Sequence, residues 1–369
     1  MKKNILTLFA VIIGLTANIG LLHAETDNWS THAEEVTPSG DTYTITSAGQ
    51  LAWIASQVNG ESGNSFEGKT IILNNDIDLA AHEWTPIGNS FEKGFKGTFD
   101  GNGKTISNMK ISITSNNEQE KVIGGLFGYI LNDAVVKNVT IAGTSSIELS
   151  GNKEAFAGGI VALAQGITQE NKKAAFAGTI ENCHSAASIS VSISPTTANA
   201  KGSENSAVAG GIAGEVYAGG KKSSDSDYPG VINCSSSGNM TSTCTTTQTT
   251  NGVLSGGILG RAESVKVQNC YSTGNMTSTG GQTPYTGGIV GHVSYEVQIL
   301  DCYSTGTITS SSNRTEEAWG IAGGISGTIS QNSVVKNCYA TGDISVSLPN
   351  TTNVGSEVWA GGIVGYGIN

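Results

Sequence analysis

The first residues that could do chemistry are two carboxylates, Asp76 and Asp78, two positions apart on a predicted strand. Side chains at this spacing share one face of a strand. They could act as a glycosidase pair or as part of a Ca²⁺ site. A Ca²⁺ site needs further ligands, and closely spaced Asp residues are common in turns. We therefore expect both residues to serve loop structure.

Residues 63–70 match the sequence pattern of a nucleotide-binding P-loop. A P-loop follows a strand and binds phosphate through the N-terminus of the helix after it. Here the sequence predicts a helix before the segment and a strand after it. ATP binding is therefore not expected, and no cofactor is predicted.

Histidine and serine motifs supply no catalytic set. His82 and Glu83 lack the second histidine of a zinc-protease helix, and no Gly-x-Ser-x-Gly sequence occurs. Three other histidines are isolated in the sequence, so we expect surface positions rather than a metal site: His32, His184 and His292. We predict a protein that is not an enzyme, with no catalytic residue and no metal.

Three tyrosines recur at one position of a repeat and should project outward from adjacent coils. Exposed aromatic rings can bind sugars, because they offer an apolar face and a polar edge. A ladder that stabilises the surface is the alternative, which we favour because earlier repeats have other residues there. The candidate ligand-binding residues are Tyr271, Tyr303 and Tyr339.

The repeat that positions these side chains has the form Gly-Gly-aliphatic-x-small and occurs at residues 124–128, 158–162, 210–214, 256–260, 287–291, 323–327 and 361–365. Its first glycines are 31 to 52 residues apart, which is typical of a solenoid with insertions. Aliphatic, small and apolar columns at alternate positions predict a strand with one buried face. The column between them has no shared property: Tyr129, Leu163, Glu215, Arg261, His292, Thr328 and Tyr366.

A second segment, with Asn or Asp before Cys or Val, follows each of the first six repeats. An apolar residue three positions before the Cys or Val should also be buried, so the chain must bend at the Asn. Asn tolerates the left-handed conformation, and stacked Asn amides would bond from coil to coil. A third apolar column follows. About three short strands per repeat predict an all-β fold, a parallel β-helix.

Six cysteines in an exported chain would suggest disulfides. Five of them occupy the inward column that Val139 occupies in the first repeat: Cys183, Cys234, Cys270, Cys302 and Cys338. This equivalence indicates small buried apolar residues, and five stacked residues cannot all pair within a column. We expect free thiols, with Cys244 in a threonine-rich loop.

Before the repeats, Ser47 begins a predicted helix that runs to about Val58 and is suited to cap the first coil. Residues 69–79 read as a strand, 100–103 as a tight turn and 114–121 as a junction. The predicted divisions are a signal peptide at 1–24, an N-terminal cap with the first coils at 25–120, and the repeat β-helix at 121–369.

A basic start followed by an apolar stretch ending at Ala24 is typical of a secretory signal peptide. We expect export to the cell surface or medium, with the periplasm as an alternative. No later apolar run is long enough for a membrane span. The net charge of −11 disfavours nucleic acid as a partner, because phosphate requires a basic face.

The sequences Gly-Gly-Ile-Val-Gly at 287–291 and Asn-Cys-Tyr-Ser-Thr-Gly at 269–274 resemble those of bacterial surface proteins with GLUG repeats. Residues 76–103 resemble the segment that commonly precedes such repeats. These repeats occur in adhesin-like proteins and in the non-catalytic region of some immunoglobulin-A-cleaving metallopeptidases. The resemblance implies a right-handed β-helix and an extracellular role, and supplies no catalytic residues.

We therefore expect an exported, non-catalytic, adhesin-like protein that binds a host glycan or a host or surface protein. The alternatives are a carbohydrate-active β-helix enzyme, either a polysaccharide lyase or a glycosidase, and the accessory region of a surface peptidase. The last repeat contains only its first strand, around Ile363 and Val364. An uncovered coil has unpaired backbone groups, so we expect end-to-end self-association there.

Overall fold

The structure is a computed structural model that describes residues 27–117, 120–166, 177–195, 205–218, 230–246, 252–315, 317–349 and 355–367. Nearly all of its regular structure is β, which confirms the predicted all-β class. The helices in these ranges are an α-helix, Ala48–Asn59, and two short 3₁₀ helices, Trp29–His32 and Phe91–Lys93. None of them is long and apolar enough to cross a membrane.

The described strands form four parallel sheets, which we number I to IV in the order that a coil visits them. Sheet I lies before each Gly-Gly corner and consists of Lys121–Gly124, Glu154–Gly158, Ser206–Gly210, Gly252–Gly256, Pro284–Gly287, Trp319–Gly323 and Glu357–Gly361. Sheet II lies after the corner and consists of Phe127–Leu131, Val161–Gln165, Ala213–Tyr217, Leu259–Glu263, Val290–Tyr295, Ser326–Ile329 and Val364–Gly367.

Sheet III contains the asparagine bend and also includes the first strands of the described chain. Its strands are Thr42–Ile45, Thr70–Leu73, Ile77–Asp78, Thr98–Ser107, Val135–Ile141, Thr179–Glu181, His184–Ser185, Gly230–Ile232, Ser235–Ser236, Lys266–Gln268, Tyr271–Ser272, Gln298–Leu300, Tyr303–Ser304, Val334–Lys336 and Tyr339–Ala340. Sheet IV consists of Lys110–Thr114, Ser146–Gly151, Ser188–Ile193, Met240–Cys244, Met276–Thr279, Ile308–Ser311 and Ile344–Ser347.

The four sheets form the walls of a solenoid. Each coil adds one strand to sheets I, II and IV, and from Thr179–Glu181 onward it adds two short strands to sheet III, one on each side of the asparagine bend. Equivalent residues pair in parallel from coil to coil, as Tyr271 does with Tyr303 and Tyr303 with Tyr339. The prediction of about three strands per repeat was too low, because it missed sheet I and counted the strands on the two sides of the asparagine bend as one. Sheet I faces the core with small residues such as Ala155 and Ala207, so it shows no large inward aliphatic column.

The inward columns behave as predicted along most of the solenoid. The aliphatic column is fully buried at Leu126, Ile160, Ile212, Ile258, Ile289 and Ile325. In the last described coil Ile363 is exposed. Self-association through this coil stays a prediction.

The asparagine bend is also confirmed. The residues at the bend have φ between 53° and 57°, in the left-handed region: Asn138, Asn182, Asn233, Asn269, Asp301 and Asn337. Amide Nδ2 atoms donate to the residue one coil below, for example from Asn233 to Asn182 at 3.0 Å and from Asn269 to Asn233 at 3.1 Å. These bonds fix the bend and tie the coils together.

All six cysteines are unpaired, which agrees with the prediction. Cys183, Cys234, Cys270 and Cys302 are buried in the core, and Cys338 is half-buried in the last complete bend. Burial raises the pKa of the Cys183 and Cys234 thiols well above the usual range. Cys244 was expected in a loop but ends a strand of sheet IV, with its side chain buried.

The predicted N-terminal helix is present, and Ser47 caps it by accepting a hydrogen bond from Gln50 N at 3.2 Å. Its apolar stripe, including Leu51, Ile54 and Val58, is buried in the main core. A capping role for this helix stays a prediction, as does the handedness of the solenoid.

Two other predictions for this region were wrong. Residues 69–79 form two strands rather than one, because the chain turns at Asn74 and Asn75. Residues 100–103 do not reverse the chain. They form a bulge within the strand Thr98–Ser107, where Asn102 and Gly103 have positive φ.

The predicted divisions of the chain are not altered by these observations. The predicted signal peptide at 1–24 lies outside the described residues. Sheet III continues across residue 120, since Thr98–Ser107 pairs with Val135–Ile141.

Candidate functional site

The outer surface of the solenoid has a groove between sheets I and II. Its first wall is sheet I, where the side chains are distributed unusually. Its small residues point inward, so its bulky residues point outward. The outward residues pair in register from the first coil to the last: Ile123, Phe156, Val208, Leu254, Tyr285, Ile321 and Trp359. They form one wall, which we call the sheet I wall.

The other wall comes from sheet II, and it is the variable column noted in the sequence. Tyr129 and Leu163 pack in the same outer cluster as Phe156 and Val208, which shows that this column faces the groove. The small residue before it also faces the groove. A Cβ on Gly260 would lie 2.5 Å from Val208 Cγ1, so glycine allows the two walls to approach.

The simple alternation predicted for sheet II was therefore wrong in detail. Phe127 and Ile130 both lie in the inner core, three residues apart, and Gly128 and Tyr129 lie between them on the outer side. The chain bends within this strand. This bend makes the groove concave.

The first half of the groove is closed by its own side chains. Phe156, Leu163, Val208 and Leu254 are buried there although they lie outside the main core. Phe91 packs edge-on against Tyr129, with 6.1 Å between the ring centroids. This region, the closed half, is a second hydrophobic core.

The middle of the groove holds charged side chains. Arg261 NH1 lies 3.3 Å from Glu215 Oε2, and Gln165 donates to the other oxygen of Glu215 at 3.4 Å. Arg261 Nε is buried and makes no hydrogen bond. Burial and the charge of Arg261 lower the pKa of His292 to about 3, so this imidazole is neutral at ordinary pH.

Over the last three described coils the groove opens into a cleft of about 480 Å³. The side chains around this aromatic cleft are Thr283, Tyr285, Trp319, Ile321, Glu357, Trp359 and Tyr366. The volume is within the usual range for small-molecule sites, roughly 300–1,000 Å³.

The aromatic rings of the cleft are held by defined contacts. Trp359 and Tyr366 lie 4.8 Å apart at an angle of 46°. Tyr285 lies edge-on to His292 at 4.9 Å. Trp319 donates its Nε1–H to Gly355 O at 3.1 Å. These contacts hold aromatic faces around a concave space.

The three predicted tyrosines lie on sheet III, outside this cleft. Their rings are parallel within 4°, with centroids 4.9 Å apart between Tyr271 and Tyr303 and 5.1 Å apart between Tyr303 and Tyr339. The facing sides of neighbouring rings therefore lie against each other rather than against solvent, and only the outer faces of Tyr271 and Tyr339 lack a tyrosine neighbour. Sugar binding by this tyrosine ladder stays a prediction.

The structure also locates the other residues singled out in the sequence. Asp76 accepts from Thr105 N, and Asp78 accepts from Ala80 N and Asn108, as expected for loop carboxylates. His184 and His292 are half-buried on separate walls. The prediction that His32 is isolated was wrong, because its ring stacks on that of His82.

Comparison with protein-family models gives no match, and no curated protein sequence matches the chain. Among solved structures, the chain resembles a candidate immunoglobulin A1 protease from Bacteroides ovatus, with 20% identity and a TM-score of 0.58. The alignment covers 90% of this chain and 86% of that one.

A second solved structure is described as an IgA1 protease. Its identity is 13% and its TM-score is 0.46, over 86% of this chain and 21% of that chain. The first comparison shows that the fold is shared. No family model supports the GLUG repeat, so that resemblance rests on the sequence motifs.

Proposed function

We propose that this chain is an exported, non-catalytic binding module of the adhesin-like, GLUG-repeat type, with a right-handed β-helix that binds glycans in the aromatic cleft. The observation that carries the proposal is the convergence of Tyr285, Trp319, Trp359 and Tyr366 on one open space of about 480 Å³. Elsewhere in the groove, large side chains fill this space.

Aromatic rings with fixed orientation suit sugars, because the apolar face packs on sugar C–H groups while neighbouring polar atoms bind hydroxyls. Glu357 and Thr283 line the same cleft and can supply hydrogen bonds. Hydrogen bonds to a carboxylate are stronger than those between neutral groups. The cleft thus offers both kinds of contact that a sugar requires.

The charges favour an uncharged glycan. Glu357 places a negative group in the cleft, and the whole chain carries a net charge of −11. A polysaccharide rich in uronate or sulfate would meet repulsion at both levels. Neutral hexose polymers or neutral glycan chains fit better.

The non-catalytic part of the proposal rests on the same lining. Most glycosidases flank the scissile bond with two carboxylates. Of the described residues around the cleft, Glu357 is the single carboxylate. The export part rests on the signal-peptide pattern of residues 1–24.

The test is a binding screen of the exported chain on neutral and acidic glycans, followed by titration with the best ligand. Trp359→Ala should weaken binding about fivefold, since one aromatic contact contributes on the order of 1 kcal/mol and tenfold would need 1.4 kcal/mol. Trp319→Ala should act in the same direction. The matched control is Tyr339→Ala, which removes an exposed ring from a different wall of the neighbouring coil.

Unchanged affinity in both tryptophan variants would refute the cleft, and loss in Tyr339→Ala alone would favour the tyrosine ladder. Incubation with the bound glycan and with immunoglobulin A tests the enzymatic alternatives. New reducing ends, unsaturated products or antibody fragments would contradict a non-catalytic module.

A further inference from the structure

A cluster of possible metal ligands lies at the start of the described chain, far along the sequence from the aromatic cleft. It consists of Asp27, His32 and His82, each of which offers one ligand atom, and these atoms all lie within 4.8 Å of one another. Asp27 Oδ1 lies 2.9 Å from His32 Nε2, and Asp27 Oδ2 lies 2.8 Å from His82 Nδ1. One carboxylate therefore faces two imidazoles.

The backbone holds these residues together. Trp29 N donates to Glu83 O at 3.0 Å, and Glu83 N donates to Asp27 O at 3.1 Å, which pairs the N-terminal segment with the loop that carries His82. His32 returns to Asp27 because the segment between them forms the 3₁₀ helix Trp29–His32. The positions of all three side chains thus follow from backbone hydrogen bonds and the 3₁₀ turn.

Two details distinguish this cluster from an ordinary surface ion pair. The rings of His32 and His82 stack nearly parallel, at 11°, with centroids 3.7 Å apart, so the exposed His32 ring must turn out of the stack before both nitrogens can point at one ion. His82 Nδ1 is buried and makes no hydrogen bond, although it lies 2.8 Å from Asp27 Oδ2. The oxygen lies off the direction in which this nitrogen would donate a proton. In the tautomer that carries its proton on Nε2, His82 has an Nδ1 lone pair that can bind a metal ion.

We propose that Asp27, His32 and His82 bind one divalent transition-metal ion of the zinc type. Two imidazole nitrogens and a carboxylate oxygen form a donor set typical of zinc sites with three protein ligands and one open position. A bound ion would fasten the N-terminal segment to the loop around His82.

The fluorescence of Trp29 can report metal binding, because this ring lies edge-on to His82 with 4.8 Å between the centroids. A paramagnetic ion at the three ligands should quench this indole. Copper(II) has the highest affinity of the divalent first-row ions for such sites and suits this purpose. Quenching can be followed without knowing the natural ion.

The test uses the exported chain without a histidine tag, stripped with chelator and titrated with Zn²⁺ by calorimetry. We expect one saturable site and a higher Tm with Zn²⁺ than with chelator. Asp27→Asn is nearly isosteric at an exposed position and should fold; it should weaken binding at least about tenfold, because it removes the anionic ligand. His82→Ala should do the same and abolish Cu²⁺ quenching of Trp29.

His184→Gln is the matched control, since this histidine is half-buried on sheet III and bonds Ser235 instead. It should bind Zn²⁺ as the native chain does. Equal binding by the native chain and Asp27→Asn would overturn the proposal. So would the absence of saturable binding, or tighter binding of Ca²⁺ or Mg²⁺ than of Zn²⁺. Circular dichroism of each variant shows whether it is folded, and glycan binding in the cleft should be unaffected.

Discussion

The closed half and the aromatic cleft are two regions of one groove, built on the same walls and the same register. In the closed half, Phe156, Val208 and Leu254 project from sheet I and are buried. Two and three coils further on, Ile321 and Trp359 occupy the same column beside open space. The backbone is therefore constant, and the outward side chains decide whether the groove is core or site.

This comparison also explains why the conspicuous tyrosines are weaker candidates. A ladder of identical side chains on stacked coils covers its own faces, because coils are only about 4.8 Å apart. Different aromatic residues on two walls, such as Trp359 and Tyr366, meet with their ring planes at 46°. Such rings do not cover each other's faces. A solenoid thus creates sites where its side-chain columns change, rather than where they repeat.

The largest expected effect is on stability in the closed half. Phe156→Ala should lower the free energy of unfolding by about 3 kcal/mol, because it leaves a cavity in packed apolar surroundings. Trp359→Ala should cost less than about 1 kcal/mol, since this ring is only partly buried in the open cleft. Denaturant midpoints of the two variants measure the difference. Equal losses would mean that the cleft is also a structural core.

The second prediction concerns the pH dependence of the charged middle. The pKa of His292 is lowered to about 3 in the folded state, whereas an unfolded histidine titrates near 6.5. Between these values the unfolded chain binds more protons, so stability is full above about pH 6.5 and falls as the pH falls toward 3. The contribution is at most about 5 kcal/mol, since each pKa unit corresponds to 1.36 kcal/mol, and partial exposure of the imidazole reduces it below the loss expected for Phe156→Ala.

His292→Gln keeps a polar side chain but removes this titration. Thermal melting of the native chain and the variant from pH 7 to pH 3 should therefore show a smaller loss of Tm in the variant. Parallel curves would contradict the neutral state of the half-buried His292. The nearby charged group is Arg261, so the same series on an Arg261 variant separates its influence.

A third, smaller effect is expected for the charged pair itself. Arg261→Gln removes the partner of Glu215, and burial together with the charge of Glu215 already raises the pKa of Glu263. We expect a loss of about 1–2 kcal/mol, less than for a fully buried pair because both side chains retain some exposure. Adding Glu215→Gln should recover part of the loss, and a double-mutant cycle by denaturation measures this coupling.

The smallest effect is expected in the tyrosine ladder. Replacing Tyr271, Tyr303 and Tyr339 together by Ser should lower stability by about 1 kcal/mol in total, because each stacked pair contributes on the order of 0.2–1 kcal/mol. Glycan affinity should not change if the aromatic cleft is the site. A loss of affinity with unchanged melting would instead assign binding to the ladder.

Much of the fold was predictable because the equivalent positions of successive repeats can be compared within one sequence. The buried column through Leu126 and Ile160, the left-handed Asn bend and the free thiols follow from residue types that recur at fixed spacing. Sheet I was missed because most of its inward residues are small, such as Ala155 and Ala207, and buried Ser255 donates its hydroxyl to Thr277 O at 2.7 Å. Such residues carry no hydrophobic signal.

The candidate sites were harder to predict. Trp359 and Tyr366 belong to different strands of one coil and meet Tyr285 two coils away only after folding. The variable column on sheet II did contain a signal, because variation beside invariant core positions marks an outward wall. His32 and His82 are 50 residues apart in sequence, and no spacing rule brings them together before the strand pairing is known.

The asparagine bends have a mechanical consequence. Each coil is joined to the next by backbone bonds and by an amide such as Asn233 to Asn182, all directed along the solenoid axis. A pull at the two ends would load these bonds coil after coil, so the chain should unravel in steps. The coil from Gly287 to Gly323 has 36 residues and would release roughly 120 Å of extended chain at about 3.4 Å per residue. A solenoid that unravels in this way would lengthen under force rather than break at once.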